Sequence, residues 1–361
     1  MLEGSYKMNV TVPGKEKKYE IRFDKLENLG SNLEKLNLGS RYIIITDDNV
    51  FQLYIKKATK TFSKKPTIIA INPGEKSKSR KTKISIEDTL LEVGVNRDCC
   101  IIALGGGVVG DLAGFVASTL FRGVNYVQVP TTLLSMVDSS IGGKVAINHS
   151  KGKNLIGAFH HPKLVFSDVT TLKTLSNDEI LNGLAEMIKH GLILDKEYFK
   201  YLEENYQSII NLEEKTTIEA IKKSCEIKSK IVNEDEKEKG KRALLNYGHT
   251  FGHAIEKISN NKIHHGKAVA LGMYIAAIIA NKTGTLNAKD AERQNSLLKN
   301  IGYITDLKLD IMKMIEIMHL DKKVKSNEIE YVLLKNIGKA QNKCKIKDSE
   351  VINILSHIKF K

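Results

Sequence analysis

The chain has 361 residues and a formal net charge of +14, with 56 Lys and Arg against 42 Asp and Glu. Its content of 42% hydrophobic and 27% charged residues is ordinary for a globular protein, and its length suggests two domains with separate cores. The four cysteines form no C-x-x-C pair, which argues against a disulfide framework and a cysteine zinc site. No signal peptide and no apolar run long enough to span a bilayer is evident, so we predict a soluble, cytoplasmic protein.

The positive charge has two interpretations. A basic surface can bind nucleic acid, but the lysines are scattered along the chain, aromatic residues make up only 6% and Trp is absent. A lysine-rich composition combined with a small anionic substrate fits these features better. The charge therefore favours a small-molecule enzyme over a nucleic-acid-binding protein.

Residues 41 to 129 alternate between strand and helix patterns. Apolar runs begin at Arg41, Thr67, Cys99 and Val124, and continuous runs of this kind are what buried parallel strands need. Helical spacing occurs at 84–94 and 112–120, and the polar residues from Asp47 predict a turn. Strands that alternate with helices predict an α/β domain with a parallel, Rossmann-like sheet.

The second half carries mainly helical patterns. They fall at 176–194, 196–206, 212–233, 242–259, 266–283, 288–300 and 310–319, with one β run from Tyr331 to Leu334. We therefore predict an α/β domain over 1–174 and a mostly α-helical domain over 175–361. The active site is expected in the cleft between them.

A glycine-rich turn follows the third strand. Gly105, Gly107 and Gly110 fit G-x-G-x-x-G between a strand and a helix, where glycine backbone can approach a pyrophosphate at the helix N-terminus. The acid that usually holds the ribose about 20 residues further on is missing, and Asp47 or Asn49 could take its place. The turn alone leaves a nucleotide site and a purely structural turn equally open.

Two further segments offer charged side chains. The lysines beside glycines in the segments 138–144 and 151–159 predict loops that bind phosphate or carboxylate groups, with solvated lysines as the alternative. Glu186 and Lys189 stand three apart on one helical face. They form either a surface ion pair or, given their apolar neighbours, a partly buried carboxylate that needs a cation or a metal.

Four of the ten histidines lie between Arg242 and Met273. His249 and His253 are four apart and point from one helical face, which Gly248 and Gly252 leave thin enough for another backbone or a ligand to approach. A carboxylate from elsewhere would complete a metal site of nitrogen and oxygen ligands, and a helix with satisfied histidines is the alternative. Further polar groups that lead into this span are Lys228, Glu238, Arg242 and Asn246.

Several long motifs occur together in one order. They are GGGVVGDLAGF, FRGVNYVQVPTTLLSMVDSSIGGK, GKNLIGAF, LAEMIKHG and RALLNYGHTFGHAIE. Together they closely resemble the 3-dehydroquinate synthase family of sugar-phosphate cyclases. The resemblance covers residues 41 to 280 in order and the rest of the chain more loosely.

The resemblance implies a set of site residues. The ligands of Zn²⁺ or Co²⁺ fall on Glu186, His249 and His265, so that His253 becomes a substrate residue. The NAD contacts fall on Asp47, Asn49, Glu75, Lys78, Gly106, Gly107, Val108, Val109, Gly110, Asp111, Thr131, Thr132, Lys144, Lys153, Thr171, Leu172, Lys173 and Thr174. The substrate contacts fall on Asp138, Lys144, Asn154, Lys189, Lys228, Arg242, Asn246, His249, His253 and Lys322, and we add Glu238 to the catalytic set. Arg122 would reach the neighbouring subunit's site, which implies a homodimer.

The resemblance also implies a redox-neutral reaction on 3-deoxy-D-arabino-heptulosonate 7-phosphate. NAD would take hydride from C5, phosphate would leave by elimination, and NADH would return the hydride before ring opening and aldol closure. Lys153, Asn154, Lys228 and His253 would hold the phosphate, and Arg242 the carboxylate. The alternatives are another sugar-phosphate cyclase and a metal-dependent polyol dehydrogenase, and the anion-binding lysines argue against the latter.

Overall fold

The computed structural model describes residues 6–11, 18–260, 262–304, 310–321 and 329–356. The chain divides into two compact units, Met1–Leu175 and Ser176–Lys361. The first is an α/β unit and the second is mostly helical. The predicted fold class is therefore confirmed.

The α/β unit is built on a sheet. Its described strands are β1 Tyr6–Thr11, β2 Lys18–Phe23, β3 Arg41–Asp47, β4 Thr67–Ile71, β5 Cys99–Gly105, β6 Asn125–Pro130, β7 Lys144–His149, β8 Gly152–Phe159 and β9 Leu164–Ser167. Its described helices are α1 Leu29–Leu36, α2 Asp48–Ala58, α3 Arg80–Glu92 and α4 Gly107–Thr119. Seven of these strands form one sheet in the order β1-β2-β9-β6-β5-β3-β4, in which only the β1–β2 pair is antiparallel. The remaining two, β7 and β8, form an antiparallel hairpin.

The central strands are buried on both faces. Ile43 and Ile45 of β3 lie in one hydrophobic core with residues of α3 and α4. Ile44, between them, lies in a second core with residues of α1 and α2. Successive side chains of a strand point to opposite faces, so both faces of the sheet are covered by helices, as the unbroken apolar runs predict.

Of the two lysine-containing segments that we predicted as loops, 151–159 is mostly strand β8, whereas in 138–144 only Lys144, its last residue, belongs to a strand. Lys144 is the first residue of β7, and Lys153 lies in β8. The loop prediction for 151–159 was wrong because β8 is largely exposed, so its sequence lacks the apolar alternation of a half-buried strand. The turn predicted from Asp47 is also wrong: the side chain of Asp47 accepts a hydrogen bond from the Val50 amide and caps the N-terminus of α2.

The helical unit surrounds one buried helix. Its described helices are α5 Asn177–Leu194, α6 Lys196–Ile210, α7 Glu214–Glu234, α8 His249–Ile258, α9 His265–Lys282, α10 Ala288–Ile301, α11 Ile311–Asp321 and α12 Asp348–Ser356. The strands β10 Glu330–Asn336 and β11 Lys339–Lys345 form an antiparallel hairpin. Helix α9 packs against α5, α8 and α10. Among the described helices, none is long and apolar enough to cross a membrane.

One predicted helix is divided in two. The pattern at 242–259 corresponds to a short 3₁₀ helix, Lys241–Asn246, followed by α8. Gly248 has φ of +79°, a left-handed conformation that ends one helix and leaves room for the next to start in another direction. The break makes His249 the first residue of α8.

Candidate active site

Helix α5 carries a fully buried ion pair. Glu186 is 0% exposed and Lys189, one turn further along the helix, is 2% exposed. The Lys189 ammonium contacts the Glu186 carboxylate. Of the two interpretations that the sequence left open, the surface ion pair is therefore excluded.

Helices α8 and α9 each present a histidine at their first position. A Cβ on Gly252 would lie 3.0 Å from the Ala268 carbonyl oxygen, so the absence of a side chain lets α9 approach α8 closely. A Cβ on Gly266 would lie 2.5 Å from the Asn182 carbonyl oxygen, and the Gly266 amide donates a hydrogen bond to the Asn182 side chain. The close approach at Gly252 confirms the prediction that another backbone packs against the glycine-containing face of α8. The close approach at Gly266 places the start of α9 against α5.

The two histidines converge on the buried carboxylate. Nε2 of His249 and Nε2 of His265 each lie 3.6 Å from Oε1 of Glu186. Within the described part of the chain, both Glu186 oxygens are buried without a hydrogen-bond partner, although Lys189 lies against one of them. A buried carboxylate needs compensating positive charge. Lys189 supplies it at Oε2, and the two imidazoles face Oε1, where a metal ion could bind. The three ligand atoms lie within 4.8 Å of one another, and two imidazoles with a carboxylate are a donor set that suits Zn²⁺ or Co²⁺.

Second contacts orient both imidazoles. Nδ1 of His249 lies 3.3 Å from the Tyr247 carbonyl oxygen, and Nδ1 of His265 lies 3.5 Å from Oε1 of Glu256. Such partners hold the Nδ1 proton and leave Nε2 for a metal. We did not predict Glu256 from the sequence, but it follows His249 by seven residues and His253 by three, a spacing that shares one helical face.

The charges of the cluster shift all three pKa values in the metal-free protein. Burial by itself raises the pKa of Glu186, but Lys189 and the two imidazoles hold it well below its usual range. Burial, reinforced by the Lys189 charge, lowers the pKa of His249 to about 3. Burial also opposes the charged form of His265, but the carboxylates of Glu186 and Glu256 raise its pKa to about 9. At neutral pH His249 is therefore ready to bind a metal, whereas His265 must first lose a proton.

We expect the affinity for Zn²⁺ to rise as the pH rises from 6 to 8. Because the pKa of His265 is raised to about 9, its imidazole is protonated across this range and each bound metal displaces one proton. One proton corresponds to roughly a tenfold gain in affinity per pH unit. Competition with a chromophoric chelator at fixed ionic strength measures this slope. An affinity that is independent of pH over the range would contradict the assignment of His265 as a ligand.

Other predicted residues of the helical unit line a cavity of about 370 Å³ beside the histidines. His249, His253, Asn246 and Glu238 line it. The rings of His253 and His249 meet edge to face with centroids 5.3 Å apart, and the Asn246 amide donates to the Glu238 carboxylate at 2.8 Å. Of the three candidate metal ligands, His249 alone lines this cavity, together with polar groups that can bind a hydroxylated ligand.

Two predicted anion-binding side chains, those of Lys228 and Arg242, are buried but do not line this cavity. Lys228 is buried on α7, and Arg242 is buried in the 3₁₀ helix. The Arg242 guanidinium donates to the Glu236 carbonyl at 2.5 Å. His264 points elsewhere: its ring is half-exposed and lies 3.8 Å from Asp178. Lys322 lies outside the described residues.

In the α/β unit, the glycine-rich turn begins helix α4. Gly106 is the N-cap residue and Gly107 the first residue of the helix, and no side chain caps its amides. The uncapped N-terminus of this helix carries the partial positive charge that favours a pyrophosphate. Gly110 serves a different purpose, since a Cβ there would lie 2.7 Å from the Gln128 side chain of β6. The predicted segment Gly106 to Asp111 thus combines a helix N-terminus without a side-chain cap with close helix–sheet packing.

Tyr54 of helix α2 contacts the last of the predicted cofactor-binding segments, residues 171–174. Asp47 caps α2, Asn49 lies in its first turn, and Tyr54 lies further along the same helix. The Tyr54 hydroxyl donates to the Thr171 carbonyl at 2.9 Å and lies 2.6 Å from the Thr174 hydroxyl. Segment 171–174, with Leu172 and Lys173, lies in a 3₁₀ helix, Val169–Thr174. The structure therefore brings these two segments together, as a shared ligand would require.

A second polar group of the α/β unit surrounds Lys78. Its ammonium lies 2.5 Å from both the Asp111 carboxylate and the Asn154 side-chain oxygen. Glu75 belongs to the same group through Asn148, whose amide donates to it at 2.6 Å. Other predicted residues of this unit lie from the end of β6 to the start of β7. Thr131 and Thr132 directly follow β6, and Asp138 lies in the π-helix Ser135–Ser139. Lys144 is the first residue of β7.

Known proteins are similar to this chain along nearly its whole length. Sequence profiles of the 3-dehydroquinate synthase N-terminal and C-terminal regions match residues 68–182 and 183–324. The chain is 46% identical over 354 residues to the 3-dehydroquinate synthase of Thermoanaerobacter pseudethanolicus, covering 96% of this chain and 99% of that protein.

Two solved structures are similar along nearly the whole chain. A 2-deoxy-scyllo-inosose synthase complexed with carbaglucose-6-phosphate, NAD⁺ and Co²⁺ has a TM-score of 0.89 and 28% identity, covering 97% of this chain and 99% of that one. A 2-epi-5-epi-valiolone synthase from Streptomyces hygroscopicus with NAD⁺ and Zn²⁺ bound has a TM-score of 0.86 and 25% identity, covering 96% and 98%.

Proposed function

The chain belongs to the 3-dehydroquinate synthase family, and on that premise we propose how its own residues convert 3-deoxy-D-arabino-heptulosonate 7-phosphate into 3-dehydroquinate and phosphate. This is a carbon–oxygen lyase reaction of the shikimate pathway, which leads to the aromatic amino acids. The observation that carries the proposal is the buried Glu186 carboxylate, whose Oε2 contacts the Lys189 ammonium and whose Oε1 faces two imidazoles at 3.6 Å.

The metal-binding role falls on Glu186, His249 and His265. A divalent Zn²⁺ or Co²⁺ held there would polarise a substrate hydroxyl and lower its pKa. Tyr247 and Glu256 hold the Nδ1 atoms of the two imidazoles and so keep Nε2 directed at the metal position. Lys189 supplies a positive charge beside the same carboxylate, where it can also bind a substrate oxygen.

The cofactor-binding role falls on the α/β unit. NAD bound there would accept a hydride from the substrate and return it later, so that no net oxidation results. The amides at the start of α4 would bind the pyrophosphate, and Asp47 or Asn49 would bind ribose. Supporting this assignment, α4 has no side-chain cap, and Tyr54 joins the α2 segment to the segment 171–174.

The substrate-binding role requires groups for a phosphate and a carboxylate. We assign the phosphate to Lys153, Asn154, Lys228 and His253, and the carboxylate to Arg242, with Asn246 and Glu238 binding hydroxyls. The buried guanidinium of Arg242 supports this assignment, because a planar fork with several donors is suited to a carboxylate. Lys144 and Asp138 complete the proposed set.

The proposal also extends to assembly and location. We propose a cytoplasmic homodimer in which Arg122 reaches the neighbouring subunit's site. Phe121 and Arg122 both have positive φ, at +50° and +66°. Backbone conformations that are unfavourable for such residues often occur where a side chain must be held in a functional position.

Phosphate release from 3-deoxy-D-arabino-heptulosonate 7-phosphate tests the function. With NAD well below the substrate concentration, we expect stoichiometric phosphate and no accumulation of absorbance at 340 nm, because NAD is regenerated in each turnover. NADH accumulation without phosphate would instead identify a polyol dehydrogenase. If neither signal appears with Zn²⁺ or Co²⁺ supplied, the substrate assignment is wrong and other sugar phosphates should be tested.

A further inference from the structure

Asn148, near the end of β7, contacts three residues of the proposed site. Its side-chain amide donates to Oε1 of Glu75 at 2.6 Å, and its side-chain oxygen accepts from the Asn154 amide at 2.9 Å. Its backbone amide donates to the Lys78 carbonyl at 2.9 Å. Glu75 and Lys78 are proposed to bind NAD, whereas Asn154 is proposed to bind the substrate. Asn148 itself belongs to neither group.

The chemistry of these partners fixes the orientation of the Asn148 amide. A backbone N–H can only donate, so it requires the oxygen of the amide, and an ionised carboxylate can only accept, so it requires the nitrogen. Both side-chain atoms are therefore engaged in a single orientation. Rotating the amide by half a turn would break both contacts.

Asn154 is a residue whose conformation needs such support. Its φ is +57°, a left-handed conformation that is uncommon for residues other than glycine, although asparagine tolerates it better than most. Asn148 holds its backbone amide, and the Lys78 ammonium lies 2.5 Å from its side-chain oxygen. The direction of the Asn154 side chain is thus set from two sides.

We propose that Asn148 is a positioning residue that fixes the Glu75 carboxylate for the cofactor and the Asn154 side chain for the sugar phosphate. This inference rests on the proposed function, which assigns those two residues to NAD and to substrate. One uncharged amide therefore organises a proposed cofactor-binding group and a proposed substrate-binding group together.

Replacing Asn148 with Ala should weaken both ligands. Loss of one hydrogen bond on each side predicts about a tenfold rise in the Kd for NAD, measured by NADH fluorescence, and a similar rise in the KM for the sugar phosphate. His149→Ala is the matched control, because His149 is the exposed neighbour of Asn148 and its ring accepts a hydrogen bond from the Lys151 amide, at 3.2 Å, and not from a group of the proposed site. A purely structural role would lower the Tm and the active fraction of Asn148→Ala but leave its Kd and KM at wild-type values, and that result would overturn the proposal.

Asn148→Asp separates the two contacts. The aspartate still accepts from the Asn154 amide but repels the Glu75 carboxylate, so we expect weaker NAD binding with a KM near that of the wild type. In an Asn148→Asp/Glu75→Gln variant the glutamine amide can donate to the aspartate. The effect of Asn148→Asp on the NAD Kd should therefore be smaller in the Glu75→Gln background, and equal effects in both backgrounds would overturn the Glu75 contact.

The wild-type protein distinguishes failure of this inference from failure of the proposed function. If the wild type releases no phosphate, the proposed function is wrong. If it releases phosphate and the Asn148 variants bind NAD and substrate as the wild type does, the function stands and the positioning role alone is rejected.

Discussion

Replacing His265 with Ala is expected to abolish metal-dependent phosphate release. The substitution removes one of the three groups whose ligand atoms lie within 4.8 Å of one another. Loss of a metal that polarises the substrate removes several kcal/mol of transition-state stabilisation, which corresponds to a loss of roughly a thousandfold or more in kcat/KM. Metal content after dialysis should fall in parallel, which separates loss of the metal from a defect in a later step.

His264→Ala is the matched control for this experiment. The two histidines are adjacent, but the side chain of His264 is 53% exposed and its imidazole lies 3.8 Å from a carboxylate of Asp178, not from Glu186. We expect its activity and metal content to match those of the wild type. Full activity of His265→Ala after removal of metal would contradict the ligand assignment, whereas loss of activity in both variants would point to disruption of the start of α9.

The predictable parts of the fold are those with a strong local signal. The strands β3 and β5 were predicted from unbroken apolar runs, and the structure buries them on both faces. The hairpin of β7 and β8 was missed because its exposed strand carries glycine and lysine, a composition that also occurs in loops. Strand pairing between such segments depends on contacts that no short stretch of sequence records.

The candidate site was likewise predicted only in part from the sequence. The sequence places His249 and His253 on one helical face, and this spacing alone favours them as a ligand pair. In the structure the ligand atoms of His249, His265 and Glu186 lie within 4.8 Å of one another, because Gly252 and Gly266 let α9 pack closely on its neighbours. Those of His253, Glu256 and His265 also lie within 4.8 Å, so the geometry by itself does not remove His253 from the candidate ligands. Only the resemblance to a known family indicated that grouping in advance. Glu256 was missed, since its role depends on the position of His265 and not on its own helix.

The largest stability effect is expected from Lys189→Met in the metal-free protein. The substitution leaves the Glu186 carboxylate, which is 0% exposed, without the ammonium that contacts it. Breaking one partner of a buried ion pair typically costs about 3 to 5 kcal/mol, because a buried charge is left uncompensated. A bound divalent cation would compensate the same charge, so the loss should be much smaller with saturating Zn²⁺. Denaturant unfolding with and without metal measures both values.

Two further variants isolate the electrostatic cause. Glu186→Gln/Lys189→Met removes both charges and should recover much of the stability lost in the metal-free single variant, since replacing a buried pair by neutral groups is often nearly neutral. Lys200→Met removes one partner of an exposed pair with Glu204, in which Lys200 is 57% exposed and the charged atoms lie 3.8 Å apart, and it should cost under about 1 kcal/mol. If Lys189→Met cost no more than Lys200→Met, or if Zn²⁺ gave the variant no extra protection, then Glu186 would not carry the buried charge from which the metal site is inferred. A metal would then have to be held by other groups, and the proposed role of α5 in catalysis would be lost.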